Sequence, residues 1–239
     1  MRLLPLPCLL LVACLAPLPL QADTPPPISL GLSVLKLEAR RVQGGYSLGS
    51  AVVVGQGELI TNCHVTRDAV LLQVLFRGQR WTVTSQAVDM PHDLCLLRVP
   101  DLPAEPVPLH DTQALQAGQP VFAVGYTGGM ALQASNGQVV AVHPMDGGQV
   151  VQVNNWFSSG ASGGALFDSA QRLIGVLTFR KPGGEAHYFA APVEWVRRLL
   201  PLPGSAVAPL DASTLPYWQQ PVDKQPAFLQ PPRAAGVGQ

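Results

Sequence analysis

Between about residues 28 and 200 the chain alternates apolar and polar positions in short runs broken by Gly, Pro and polar turns. Side chains on a strand point to opposite faces in turn, so such runs predict half-buried strands. Ser33–Ala39, Ser47–Val54, Glu58–Asn62, Val70–Phe76, Trp81–Val88 and Leu94–Val99 form a first set. Gly44-Gly45 and Gly55-Gln56-Gly57 supply turns between them, and a meander of about six strands suffices for a small barrel. Residues 100–120 lose the period and read as a connection. A second set follows: Pro120–Val124, Ala131–Ala134, Gln138–His143, Gln149–Val153, Gly164–Phe167, Leu173–Phe179 and Tyr188–Ala191. The period then changes once. Val193, Val196, Leu199 and Leu200 fall on one helical face, with Pro192 near the start. The expected fold is all-β, two halves followed by one terminal helix, with no internal repeat.

Composition modifies this picture at the ends. Of 24 prolines, seven precede Ile28 and eight follow Leu200. Residues 1–22 have the form of a signal peptide: Arg2, a Leu-rich core, then Leu20-Gln21-Ala22. Residues 23–29 are a linker, 30–200 the folded domain and 201–239 a Pro-rich tail. The tail is expected to be flexible and to contribute few contacts, docking on its own domain or a protein partner being the second reading. Leu11-Val12-Ala13-Cys14 also resembles a lipoprotein cleavage box, which would put a lipid anchor on Cys14. Either leader implies a periplasmic or secreted protein, or one tethered to a membrane. Acidic and basic side chains are equal at 15 each, so there is no basic excess to suggest nucleic-acid binding.

Three places carry candidate chemistry. Ser158-Ser159-Gly160-Ala161-Ser162-Gly163-Gly164 frames one serine with glycines. The pattern suits a strained turn that lifts the Ser162 hydroxyl and leaves the Gly160 and Ser162 amides for an oxyanion, or else an ordinary surface turn. His64 stands at the end of a predicted strand, and Asp93 opens another in an apolar run where a carboxylate needs partners. An imidazole oriented by a carboxylate can take a proton from a serine hydroxyl. Cys63, His64, His92 and Cys95 could be read as a zinc site, but neighbours on a strand diverge, so no metal is expected.

The order His64, Asp93, Ser162 and the blocks Thr61-Asn62-Cys63-His64-Val65, Asp93-Leu94-Cys95-Leu96-Leu97 and Gly160–Leu166 resemble bacterial trypsin-like serine proteases of the HtrA (Deg) type. Gly49-Ser50-Ala51-Val52-Val53, Ser135-Asn136-Gly137-Gln138-Val139 and Leu173-Ile174-Gly175-Val176 add secondary matches. The resemblance covers about residues 30–200 and implies a chymotrypsin-like double β-barrel of two perpendicular six-stranded barrels with the site between them. It implies an endopeptidase that acts on proteins or peptides through an acyl-enzyme and needs no cofactor. Ser162 is then the nucleophile, His64 the base, Asp93 its orienter, and Gly160 and Ser162 the oxyanion hole. Thr178 and its neighbours would pair with substrate backbone.

The chain departs from the family pattern in three ways. Ala161 replaces the usual Asn or Asp, leaving no charge for a new N-terminus to pair with. No PDZ module is seen after residue 200. Trp156-Phe157 are bulkier than usual beside the substrate pocket. They motivate an alternative, a protease-scaffold binding module or latent enzyme with a closed pocket. Residues 154–159 hold no acid, which disfavours Arg or Lys before the cut and leaves a small or medium apolar residue. If His64 and Asp93 are bonded, Cys63 and Cys95 come within reach of a disulfide; two unpaired core thiols are the other reading.

Overall fold

In the computed structural model, the described residues are 31–181 and 187–231. The signal peptide, the whole linker, Cys14 and the last eight positions lie outside them. The first half contains β1 (Val34–Arg41), β2 (Tyr46–Gly55), β3 (Glu58–Thr61), a one-turn helix α1 (Cys63–Thr66), β4 (Ala69–Phe76), β5 (Gln79–Thr82), β6 (Ser85–Asp89) and β7 (Leu94–Arg98). The second contains β8 (Pro120–Thr127), β9 (Ala131–Met145), β10 (Gly148–Val153), β11 (Ala165–Asp168), β12 (Leu173–Arg180), β13 (Tyr188–Pro192) and helix α2 (Val193–Leu199). A short β14 (Ser205–Ala206) follows.

The second half is a closed barrel in the order β10-β13-β12-β11-β8-β9. The first is an eight-stranded sheet, β14-β6-β7-β3-β2-β1-β4-β5, rather than the six strands expected. Two differences account for the number. The stretch Trp81–Val88 is two strands, because the chain leaves the ladder at Val83-Thr84. The eighth strand comes from beyond α2, with Ser205 and Ala206 paired antiparallel to Gln86 and Ser85. In the barrel, two expected strands merge into the 15-residue β9, which pairs without interruption from Ala131 to Gln138 with β8.

Apolar alternation has the anticipated effect. One cluster packs Leu37, Leu59, Leu72 and Leu97 inside the first sheet. Another runs across both halves, joining Ile60, Leu94 and Leu96 to Phe167, Val176 and Trp195. Trp195 on α2 is fully buried, and α2 caps the seam. The connection 100–120 follows that seam: Val107 N donates to Val53 O at 3.0 Å and His110 N to Leu173 O at 2.9 Å. No helix among the described residues is long and apolar enough to cross a membrane.

The tail is not a loose appendage, contrary to the flexible reading. Arg98 donates to Leu202 O, Gln86 to Ala208 O, Leu210 N to Arg67 O, and Tyr217 N to Pro91 O. Tyr217 and Leu229 are buried at 6% and 3% exposure. Contrary to the expectation of no internal repeat, its sequence holds a five-residue one: Pro216-Tyr-Trp-Gln-Gln, Pro221-Val-Asp-Lys-Gln, Pro226-Ala-Phe-Leu-Gln, then Pro231. Each unit is a proline in extended backbone, three residues of 3-10 helix and an extended Gln. Proline fixes the angle that starts each turn and ends the one before. The amides of Gln220, Gln225 and Gln230 each donate to the carbonyl five residues earlier, at 2.7, 2.8 and 2.7 Å.

Candidate active site

His64 does not end a strand. It sits in α1, which follows β3 after the single residue Asn62. Asp93 lies in the turn before β7 at a φ of 59°, left-handed backbone that Asp tolerates better than most residues. The turn is tied down on every side. Asp93 N donates to Met90 O, while its carbonyl accepts from Cys63 N at 3.2 Å and from the Asn62 side chain at 3.0 Å. The carboxylate is wholly buried. Oδ1 accepts from His64 N at 2.8 Å, and Oδ2 accepts from His64 Nδ1 at 2.6 Å. A carboxylate can only accept there, so the shared proton belongs to Nδ1, which in a neutral ring leaves Nε2 its lone pair. The His64 ring retains 24% exposure.

The same segment brings the cysteines together. Cys63 and Cys95 are joined as a disulfide, their Cα atoms 5.0 Å apart, inside a small apolar cluster with Met90. That geometry leaves neither sulfur for a metal. His92, the other member of the zinc reading, points elsewhere: Asp89 lies 2.7 Å from Nδ1, Asp146 3.1 Å from Nε2, and the Trp195 ring 4.0 Å away. Burial pulls the His92 pKa down, but the hydrogen bonds to Asp89 and Asp146 and the Asp89 charge outweigh it, and the net shift is upward.

The serine turn is anchored mainly by Ser50, a fully buried polar residue in the apolar run of β2. Ser50 N donates to Ser162 O at 2.8 Å, and its hydroxyl donates to Gly160 O and accepts from Tyr126 N, both at 2.8 Å. One residue thus fastens the first sheet to the barrel and to the turn that bears Ser162. Sequence reasoning gave Ser50 no role. Its signal was a hydroxyl where alternation calls for an apolar side chain.

Peptide planarity then orients the candidate oxyanion amides. Ser159 O accepts from Gly128 N at 2.6 Å and Ala161 O from Gly164 N at 2.8 Å. In a trans peptide the N–H points opposite the carbonyl, so the Gly160 and Ser162 N–H groups face away from those partners. Glycine is required at two positions. Gly160 has a φ of 93°, and a Cβ there would stand 2.4 Å from Tyr126 O. Gly163 has a φ of 81° and abuts Ser50 O and the Thr61 hydroxyl. Ala161 is buried, in the cluster with Phe157 and Leu166.

A cleft of about 290 Å³ opens beside Ser162, lined by Trp156, Phe157, Ser158, Ser159, Thr178, Phe179 and Arg180. The bulky pair does not fill it. Phe157 turns into the barrel, 4.8 Å from the Tyr188 ring, and Trp156 is 55% exposed. Thr178 has its hydroxyl committed to Val176 O and within 3.3 Å of the Asn62 amide. Its backbone is another matter. β11 pairs with β12 only from Leu173 to Val176, whereas β13 continues along the other edge to Arg180. From Thr178 onward, one edge of β12 has no strand beside it among the described residues.

The trypsin-like peptidase domain family model matches residues 49–176. The chain belongs to that family. Protease Do-like 1, chloroplastic, of Arabidopsis thaliana is 31% identical over 158 residues, 59% of this chain and 35% of the relative. The chain thus corresponds to about a third of that relative's length. Among solved structures, the HtrA-type protease AlgW with a tripeptide superposes with a TM-score of 0.65 at 26% identity, covering 72% of this chain and 60% of that one. The active form of the Rv3671c protease from M. tuberculosis gives 0.69 at 20% identity, over 77% and 88% of the two chains, and shares the fold. The domain is a trypsin-like peptidase domain with the chymotrypsin-like architecture, similar to HtrA-type proteases.

Proposed function

We propose that the protein is an exported serine endopeptidase that hydrolyses proteins or peptides through an acyl-enzyme formed on Ser162. The observation that carries this reading is the buried Asp93 carboxylate gripping His64 Nδ1 at 2.6 Å, with the Ser162 turn fastened to the same half of the molecule by Ser50. His64 Nε2 takes the hydroxyl proton as Ser162 Oγ attacks the carbonyl, then returns it to the leaving amine. Asp93 holds the imidazole and stabilises its charge. The Gly160 and Ser162 amides receive the developing oxyanion. Substrate adds as a strand along the open edge of β12 at Thr178, an ordinary mode of peptide capture. Its side chain before the scissile bond enters the cleft between Trp156, Phe157 and Arg180. Arg180 repels a basic side chain there, which favours a small or medium apolar residue. The leader sequence supports action in the periplasm or outside the cell.

An active-site fluorophosphonate reporter tests the reading. Covalent labelling of the wild type and none of Ser162→Ala is expected; an unlabelled wild type would favour the binding-module alternative.

A further inference from the structure

We propose that Trp218, on the docked tail, is a positioning residue for the triad, its indole N–H fixing the same Asp93 carboxylate oxygen that His64 Nδ1 holds. The inference rests on the triad reading above. Trp218 Nε1 donates to Asp93 Oδ2 at 3.2 Å. This is the one donor to the carboxylate, among the described residues, that His64 does not supply. Two bonds from a single residue leave a carboxylate free to follow that residue's movements. A donor from a separate element fixes its plane independently of His64.

The indole is itself held. Its face stacks on Phe179 at 4.9 Å and 5°, and Phe179 stacks in turn on Phe189 at 4.7 Å and 7°. Its ring centroid lies 5.7 Å from that of His64, the planes at 82°. Tyr217 alongside is buried against Phe179 and Trp195, and Trp218 O accepts from Gln225. Further along, Phe228 stacks on His143 at 4.3 Å, and Lys181 donates to Leu229 O. The proline-paced repeat thus holds the indole at both ends against the barrel. Phe179 also lines the substrate cleft, so the residue that steadies the triad leans on the wall of the cleft it serves.

The chemistry gives a signature that packing alone does not. A donor on Oδ2 draws charge from the carboxylate. Without it, the carboxylate turns more of its charge on the His64 ring, and the acidic limb of the activity profile moves to higher pH. The titratable groups facing the carboxylate are His64 and Tyr217, and burial and the Asp93 charge push the Tyr217 phenol far up, so it stays neutral.

Trp218→Phe keeps a ring on Phe179 and deletes the N–H. Fluorophosphonate labelling rates for wild type, Trp218→Phe and Trp218→Ala are measured from pH 5 to 9, with kcat and KM on a cleavable peptide. The expected result for Trp218→Phe is a loss of about tenfold in labelling rate and kcat, KM within about twofold, and an acidic limb moved to higher pH. In the wild type, the indole N–H proton resonance of Trp218 should titrate with that limb, a readout that needs no variant. A defect in Trp218→Ala but not in Trp218→Phe, or an indole resonance flat across the limb, would overturn the proposal and leave Trp218 as packing. Failure of the underlying reading looks different: the wild type is then neither labelled nor active, while the indole resonance still follows His64.

Discussion

On the proposed mechanism, Ser162→Ala deletes the attacking hydroxyl, so the variant should fold normally and hydrolyse nothing measurable in a casein assay. Asp93→Asn keeps the shape of the buried side chain but takes away the acceptor that selects the Nδ1 proton, and turnover should fall by about 10⁴. Ser50→Ala leaves Tyr126 N without its acceptor and Gly160 O without its donor. A loss of about 1–3 kcal/mol in urea unfolding is expected, with slower labelling of Ser162, because the turn loses its tether to β2. At this scale the sequence spoke clearly for His64, Asp93 and Ser162, whose neighbours form recognisable blocks. It was nearly silent on Ser50 and Trp218. Their importance comes from partners 110 and 125 positions away, and no local pattern records such a distance.

Single elements add a pH effect. The His92 pKa is raised by its two aspartates above the ordinary 6.5. A raised histidine contributes stability that is complete below about pH 6.5 and fades as pH climbs through the folded-state value. Denaturation midpoints should therefore fall across that interval in the wild type, and His92→Gln should flatten the decline. The tail makes a second case. It buries Tyr217 and Leu229 and half-buries Trp218 and Phe228, contacts worth roughly 1.5–3 kcal/mol for each fully buried side chain before ordering costs. A chain ending at Pro203 should melt roughly ten degrees lower, as expected for a few kcal/mol in a domain of this size, and calorimetry decides it. The strands were legible because alternation is a local signal. The five-residue unit of the tail matches neither the strand period nor the helix period, so it read as absence of pattern. The short α1 escaped for a related reason: one turn of Cys63-His64-Val65-Thr66 is too brief to show a period.

For the molecule as a whole, the Cys63–Cys95 link closes a loop 32 positions long. In the chain-entropy model this is worth roughly 3–4 kcal/mol. Protein made in an oxidising compartment should show no titratable thiol in this domain when denatured without reductant, and reduction should lower its melting temperature. Two free thiols would show that the cysteines only pack. The same link explains why closeness of His64 and Asp93 foretold that of the cysteines: all four residues belong to two segments joined by Cys63 N and Asp93 O.

The span of these contacts has a consequence in time. Ser50 meets Gly160, Asn62 meets Thr178, and Asp93 meets Trp218 across 110, 116 and 125 positions. Topologies dominated by such distant pairings fold slowly, because loop closure must precede the gain. A ribosome adding residues from the N-terminus finishes His64 and Asp93 long before Trp218 exists, and the barrel closes only after β13. On the proposed mechanism, His64 and Asp93 wait throughout synthesis without the frame that would align them with Ser162, and the growing chain has no assembled site with which to cut its neighbours.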